Sequence, residues 1–164
     1  DLVRSRGLGD VYKRQIRMLA DEKPQITLAI SLHAPNDEIR RQTMPIANRY
    51  TIGEIIQACK YYFDKTGRRI TFEYSMIRGV NDKEEHAKEL AGRLSGLNCH
   101  INLIPLNEVK ERNCYRSTKE DIEKFKTILE KYRKTVTIRR EMGSDIDAAC
   151  GQLRKKFLTK NGRN

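Results

Sequence analysis

Cys150 has the most distinctive chemical setting in the sequence. It lies in Gly143-Ser144-Asp145-Ile146-Asp147-Ala148-Ala149-Cys150-Gly151-Gln152-Leu153, a stretch of small residues with two acids and one thiol. Alanine on one side and glycine on the other give the sulfur little steric cover, so something the size of a nucleobase could approach it. Asp145 and Asp147 disfavour a thiolate, because like charge raises a thiol's pKa. That argues against a protease-type nucleophile; the plain alternative is a buried structural cysteine. Three further polar groups come directly after apolar runs: Ser31 and His33 in Ser31-Leu32-His33-Ala34-Pro35, and Asn107 in Leu103-Ile104-Pro105-Leu106-Asn107. His33 is either a general base or cofactor contact, or a satisfied histidine in the turn before Pro35. Ser31 offers a donor to a carboxylate or ribose, or caps the next helix. The Asn107 amide, with a donor and an acceptor, suits the edge of an adenine, or serves as a turn residue after proline.

The elements that must position these groups alternate. Ile26–Ser31 is a short apolar run between Pro24 and Pro35 and reads as a buried strand. A short helix is expected near Asn36 to Thr43. Thr51 and Glu54 form a capping box, with Ile52, Ile55, Ile56, Cys59 and Phe63 at helical spacing and Gly67 as the stop, so Cys59 reads as core. Arg69–Ser75 alternates Ile70, Phe72 and Tyr74 with polar residues, as a half-buried strand does. Glu73 on its polar face could point into a barrel lumen or pair with Arg69 or Arg78. Asn81 with Glu84 is expected to cap a helix carrying Ala87, Leu90, Ala91 and Leu94 and stopping at Gly96, with His86 solvated. His100–Ile104 is a third strand. Ser117 with Glu120 reads as the cap of a helix with Ile122, Phe125, Ile128, Leu129 and Tyr132 inward, and Thr135–Arg140 as a fourth strand. Strand–helix three times, then a strand, predicts a parallel α/β fold: an open sheet, or the later part of a larger barrel. In such folds the chemistry sits at the C-terminal ends of strands, where Ser31, His33, Asn107 and the Cys150 loop all fall.

The 164 residues suffice for one domain with its own core, assigned to 16–164 with a basic C-terminal tail. Residues 1–15 show no usable periodicity. The string from Ser5 to Gln15 resembles a junction found at the ends of unrelated reading frames, so this segment is expected to be a non-native leader. A formal net charge of +11 favours a polyanionic partner, nucleic acid first. With no Trp and few aromatics, base-stacking platforms of the single-strand-binding kind are not evident. Cys59, Cys99, Cys114 and Cys150 are too widely spaced for a zinc knuckle or an iron–sulfur loop, so no metal ligand is assigned within the chain. No signal peptide or bilayer-length apolar run is evident, and a reducing, cytoplasmic setting is expected.

Three motifs in order, Ile30–Arg40, Ile101–Asn107 and Gly143–Leu153, closely resemble the radical S-adenosylmethionine (SAM) enzymes that methylate carbon-2 of an adenine in 23S ribosomal RNA and in certain transfer RNAs. The resemblance runs from about residue 16 to Leu158. It implies the C-terminal part of a partial (βα)₆ barrel, with Ser31, Leu32, His33 and Asn107 as SAM contacts and Cys150 as the methyl carrier. It also implies a mechanism. One SAM methylates Cys150, and a second is cleaved reductively at a [4Fe–4S] cluster with electrons from a donor such as flavodoxin. The 5′-deoxyadenosyl radical takes hydrogen from the sulfur-bound methyl, and the carbon radical adds to the ring. A second cysteine helps resolve the adduct through a disulfide.

The family's C-x-x-x-C-x-x-C cluster motif, Gly-Glu SAM segment, RNA-binding domain and resolving cysteine have no counterpart in this sequence. The cluster is therefore expected to be held outside this chain, which is expected to be inactive alone and monomeric in its native form. Two rivals stand beside this reading. One is the sister methyltransferase acting on carbon-8, against which Asp147 and the Pro35-Asn36-Asp37 run point. The other is a basic RNA-binding fragment without chemistry. A phosphate-binding barrel enzyme is disfavoured because no Gly-rich loop opens a helix.

Overall fold

The computed structural model describes residues 8–22, 26–44, 50–106 and 115–139. Helix α1 (Leu8–Glu22) is followed by β1 (Ala29–Ser31), α2 (Asp37–Thr43), α3 (Ile52–Thr66), β2 (Ile70–Met76), α4 (Glu84–Arg93), β3 (Cys99–Pro105), α5 (Lys119–Lys131) and β4 (Thr135–Ile138). The strands form one parallel sheet in the order β1-β2-β3-β4. The alternation expected from the sequence is therefore the observed architecture.

Register explains why the sheet has two unlike faces. Ile30, Phe72, Ile101 and Val136 are successive partners across the four strands. All four are buried in a core shared with Ile52, Ile55, Cys59 and Tyr62 of α3, Ala87 and Leu90 of α4, and Ile122, Phe125 and Leu129 of α5. One residue further along, Ser31, Glu73, Asn102 and Thr137 are partners in the same way and occupy the opposite face. There burial is partial for Ser31, Glu73 and Asn102, and Thr137 is exposed. A parallel sheet is ordinarily apolar on both sides; a half-exposed polar row suits the lumen side of a barrel. Glu73 lies on this face, and among the described residues no ion pair joins it to Arg69 or Arg78.

Local signals account for most element ends. The Thr51 hydroxyl accepts from Glu54 N at 3.2 Å while the Glu54 carboxylate accepts from Thr51 N at 3.1 Å. Gly67 closes α3 at φ 65°, a backbone conformation that favours glycine. The Asn36 side chain caps α2 by accepting from Ile39 N.

Several local expectations are corrected. Tyr132, expected to face inward, lies at the C-cap of α5 and is exposed. Helix α1 begins at Leu8, inside the stretch that showed no periodicity. Ile16 and Ala20 are buried in the core, and α1 lies along α3; once that half is docked, extending a helix backwards is far easier than nucleating one. The cap of α4 is Lys83 and not Asn81, and His86 is buried, its Nδ1 accepting from Lys83 N at 3.2 Å. The cap of α5 is Thr118, which accepts from Asp121 N, while Ser117 is buried. The first strand is only Ala29–Ser31, although Leu28 O already accepts from Thr71 N. Among the described residues no helix is long and apolar enough to cross a membrane.

Candidate cofactor site at the strand ends

Four parallel strands deliver their C-terminal ends to one edge of the sheet, and the segment Ser31-Leu32-His33 leaves β1 there. Its backbone is tied to the neighbouring strand: Leu32 N and His33 N both donate to Glu73 O, at 3.0 and 3.3 Å. Leu32 is fully buried and its side chain anchors the segment. Its carbonyl accepts from Nε of Arg40 at 3.3 Å. Arg40 is itself buried, with Nη1 donating to Tyr50 O at 3.1 Å. A buried guanidinium spending its donors on backbone carbonyls holds the chain where no regular ladder does.

His33 carries the site's clearest constraint. Its φ is 56°, in the left-handed region that costs a non-glycine residue about 1–2 kcal/mol. Such conformations persist only where the surroundings fix them, and they cluster at functional sites. The ring is fixed as well: Ser75 N donates to His33 Nδ1 at 3.0 Å. An N–H aimed at Nδ1 requires that nitrogen to be unprotonated, which puts the neutral ring's proton on Nε2. Burial holds the His33 pKa below the usual histidine value; the Glu73 carboxylate pulls it up, and the Arg40 charge adds to the lowering. Near neutral pH His33 is then a neutral donor through Nε2 and not a cation.

The polar face behind this edge adds Glu73, Asn102 and Thr137. Thr137 Oγ1 lies 2.9 Å from His100 Nε2 and donates to Asn102 Oδ1 at 3.3 Å. Burial, then the Arg69 charge, lowers the His100 pKa. Ser31, Glu73, Asn102 and Thr137 thus give this face hydroxyls, an amide and a carboxylate, groups able to hydrogen-bond a polar ligand.

The residues singled out from the sequence divide cleanly. Ser31, Leu32 and His33 stand together at the end of β1. Asn107 and Cys150 lie outside the described residues, as does Cys114. Sequence reasoning missed Arg40 and Asn81, both buried and both bonded to the Leu32–His33 backbone. For Asn81 the available signal was a polar residue after a strand, at a position where a helix cap also reads well; Arg40, inside α2, carried none.

An iron–sulfur cluster does not fit the described residues. No group of three or more Cys, His, Asp or Glu side chains gathers among them. Cys59 and Cys99 are core thiols, Cys59 pushed up to about 12 by burial and then by Cys99, and Cys99 raised by burial. A thiol must be deprotonated to bind metal, so these two are poorly suited as ligands.

No family model matches the chain. Curated proteins do. A protein of Clostridium novyi named "Probable dual-specificity RNA methyltransferase RlmN" is 59% identical over 147 residues, covering 90% of this chain and 43% of that protein. One of the same name from Lachnospira eligens is 60% identical over 144 residues, 88% of this chain and 41% of that protein. The chain thus spans about two fifths of the length of the curated relatives it matches. Among solved structures, a radical SAM methyltransferase from Sphaerobacter thermophilus superposes with a TM-score of 0.80 at 49% identity, over 85% of this chain and 41% of that one. A domain of a pyruvate-formate lyase-activating enzyme from Bacteroides vulgatus gives a TM-score of 0.64 at 18% identity, over 81% of this chain and 78% of that one, a likeness of fold alone.

Proposed function

We propose that this chain, which belongs to the radical SAM RNA methyltransferase family, supplies the SAM-contacting strand ends and the methyl-carrying cysteine of an enzyme that methylates carbon-2 of adenine in 23S ribosomal RNA and in transfer RNAs. The observation that carries the reading is the clamped Ser31-Leu32-His33 segment, with His33 at φ 56° and its Nδ1 engaged by Ser75. Such strain is sustained where a side chain must be presented to a ligand.

In this reading the Ser31 hydroxyl and the His33 Nε2–H orient the ligand's polar groups, with Asn107 as a further contact. Glu73 faces the ligand's positive centre from the next strand. Leu32 packs into the core and keeps water from the back of the segment. Cys150 accepts a methyl group on its sulfur and presents it to the base. When bound, SAM supplies both that methyl group and, through one-electron reduction at a [4Fe–4S] cluster held outside this chain, the oxidising radical the reaction needs. The reducing electron comes from a donor of the flavodoxin class. The excess of positive charge, +11 over the chain, favours the RNA substrate. A monomer acting in the cytoplasm completes the proposal.

Nucleoside mass spectrometry tests it. Ribosomal and transfer RNA from cells lacking the gene should be without 2-methyladenosine, and re-expression of the complete protein should restore it. Appearance of 8-methyladenosine instead would assign the protein to the sister activity. RNA unchanged by deletion and re-expression would leave an RNA-binding protein without this chemistry.

A further inference from the structure

The turn between β2 and α4 carries Asn81, which is fully buried. Every polar atom of its side chain is engaged. Nδ2 donates to His33 O at 2.9 Å and to Ser75 O at 2.8 Å, and Oδ1 accepts from Ile77 N at 2.7 Å. Its own carbonyl accepts from the Tyr74 hydroxyl at 2.7 Å. Tyr74 is in turn fixed in the core, its ring centroid 5.2 Å from that of Phe125. The two carbonyls that Asn81 holds belong to His33 and to Ser75, and Ser75 N is the donor to the His33 ring. One planar amide thus spans both partners of the bond that sets the imidazole, and it is anchored to the core from behind.

We propose that Asn81 is a positioning residue: its carboxamide holds His33 in the left-handed conformation and keeps the ring turned with Nδ1 toward Ser75 and Nε2–H presented to the ligand. The effect on His33 stands on the geometry alone; the effect on ligand affinity rests on the function proposed above. The neighbouring Asp82 works in the other direction. Its Oδ1 accepts from Gly79 N at 2.9 Å and its Oδ2 from the Ser117 hydroxyl at 2.7 Å, while Arg78 N donates to Tyr115 O at 3.0 Å. Those bonds tie the same turn to the start of α5 and make no contact with His33. They provide a control of similar structural weight.

Asn81→Asp keeps the shape and the acceptor for Ile77 N but turns the two-proton donor into an oxygen facing two carbonyls. The experiment, on the complete protein, combines ¹⁵N spectra of the histidine ring nitrogens, exchange of the Ser75 amide hydrogen, and calorimetric titration with S-adenosylhomocysteine. In the wild type His33 should carry its proton on Nε2. In Asn81→Asp the ring nitrogens should move toward the tautomer mixture of a solvated histidine, Ser75 N–H should exchange about tenfold faster or more, and ligand affinity should fall about tenfold. Ser117→Ala should leave the His33 ring signals at their wild-type positions. Wild-type ring signals in Asn81→Asp overturn the proposal, whatever happens to affinity. Altered ring signals in a protein whose wild type binds no S-adenosylhomocysteine sustain the positioning role and sink the functional reading. Should Asn81→Asp not fold, Asn81→Ser is read by the same two signals: ring nitrogens and a Ser75 amide at their wild-type values overturn the proposal, and shifted ones uphold it.

Discussion

Changing Cys150 to alanine in the complete protein should remove 2-methyladenosine from its RNA substrates altogether while leaving S-adenosylhomocysteine binding intact. The reason lies in the target proposed above. Carbon-2 of adenine has no lone pair with which to attack a sulfonium methyl, so direct polar transfer fails and the one-carbon unit needs a carrier. In the sequence the Cys150 thiol stands between Ala149 and Gly151, two of the smallest residues. Two of the other cysteines cannot take over. Cys59 is 0% and Cys99 4% exposed, and burial keeps both thiols protonated. Nucleoside mass spectrometry of RNA from cells carrying only the variant reads the result. Residual 2-methyladenosine above the level of the gene deletion would show that the methyl group travels by another route.

The largest stability effect is expected at Phe125. Its side chain is 1% exposed on α5 and its ring lies tilted against that of Tyr74 of β2, so it joins a helix to one of the two central strands of the sheet. Phe125→Ala should destabilise the fold by about 3–5 kcal/mol, from lost burial and the cavity left behind. For a domain of this size that lowers the Tm by roughly 6–20 °C. The loss falls next to the site, because the Tyr74 hydroxyl supports Asn81. Thermal unfolding followed by circular dichroism measures it; a shift of a degree or two would mean that the α5–sheet contact contributes far less than its burial implies.

The parts of the fold that were legible in the sequence are those where a local pattern and the tertiary environment ask for the same thing. Ile70, Phe72 and Tyr74 alternate because one face of β2 is packed on helices and the other is not. Thr51, Glu54 and Gly67 bound α3 through bonds confined to the helix itself. Asn36 caps α2 for the same local reason. The errors arose where one side chain satisfies several local patterns and a distant partner decides among them. Asn81 and Ser117 each precede a helix and read as caps. In the structure Asn81 reaches back to His33 and Ser75, and Ser117 to Asp82, leaving the caps to Lys83 and Thr118. His86 lacks an apolar neighbour pattern, yet its ring accepts the Lys83 N–H and is buried.

The candidate site was partly legible. Residues after strands in a parallel α/β chain are the natural place to look, and Ser31, Leu32 and His33 do stand at a strand end. The left-handed backbone of His33 and the supports from Arg40 and Asn81 were not legible. A single φ leaves no periodic trace, and both supports reach the Leu32–His33 backbone from elsewhere in the chain, Asn81 from far along it. The resemblance to radical SAM methyltransferases drew on long motifs, two of which run into residues outside those described. The bonds around His33 are therefore the structural footing of the assignment.

The most direct measurement is amide hydrogen exchange of the complete protein with and without S-adenosylhomocysteine. Binding at the strand ends should slow exchange at Leu32, His33 and Ser75, the amides that hold the end of β1 in place. Saturable binding that leaves all three at their ligand-free rates would contradict the account.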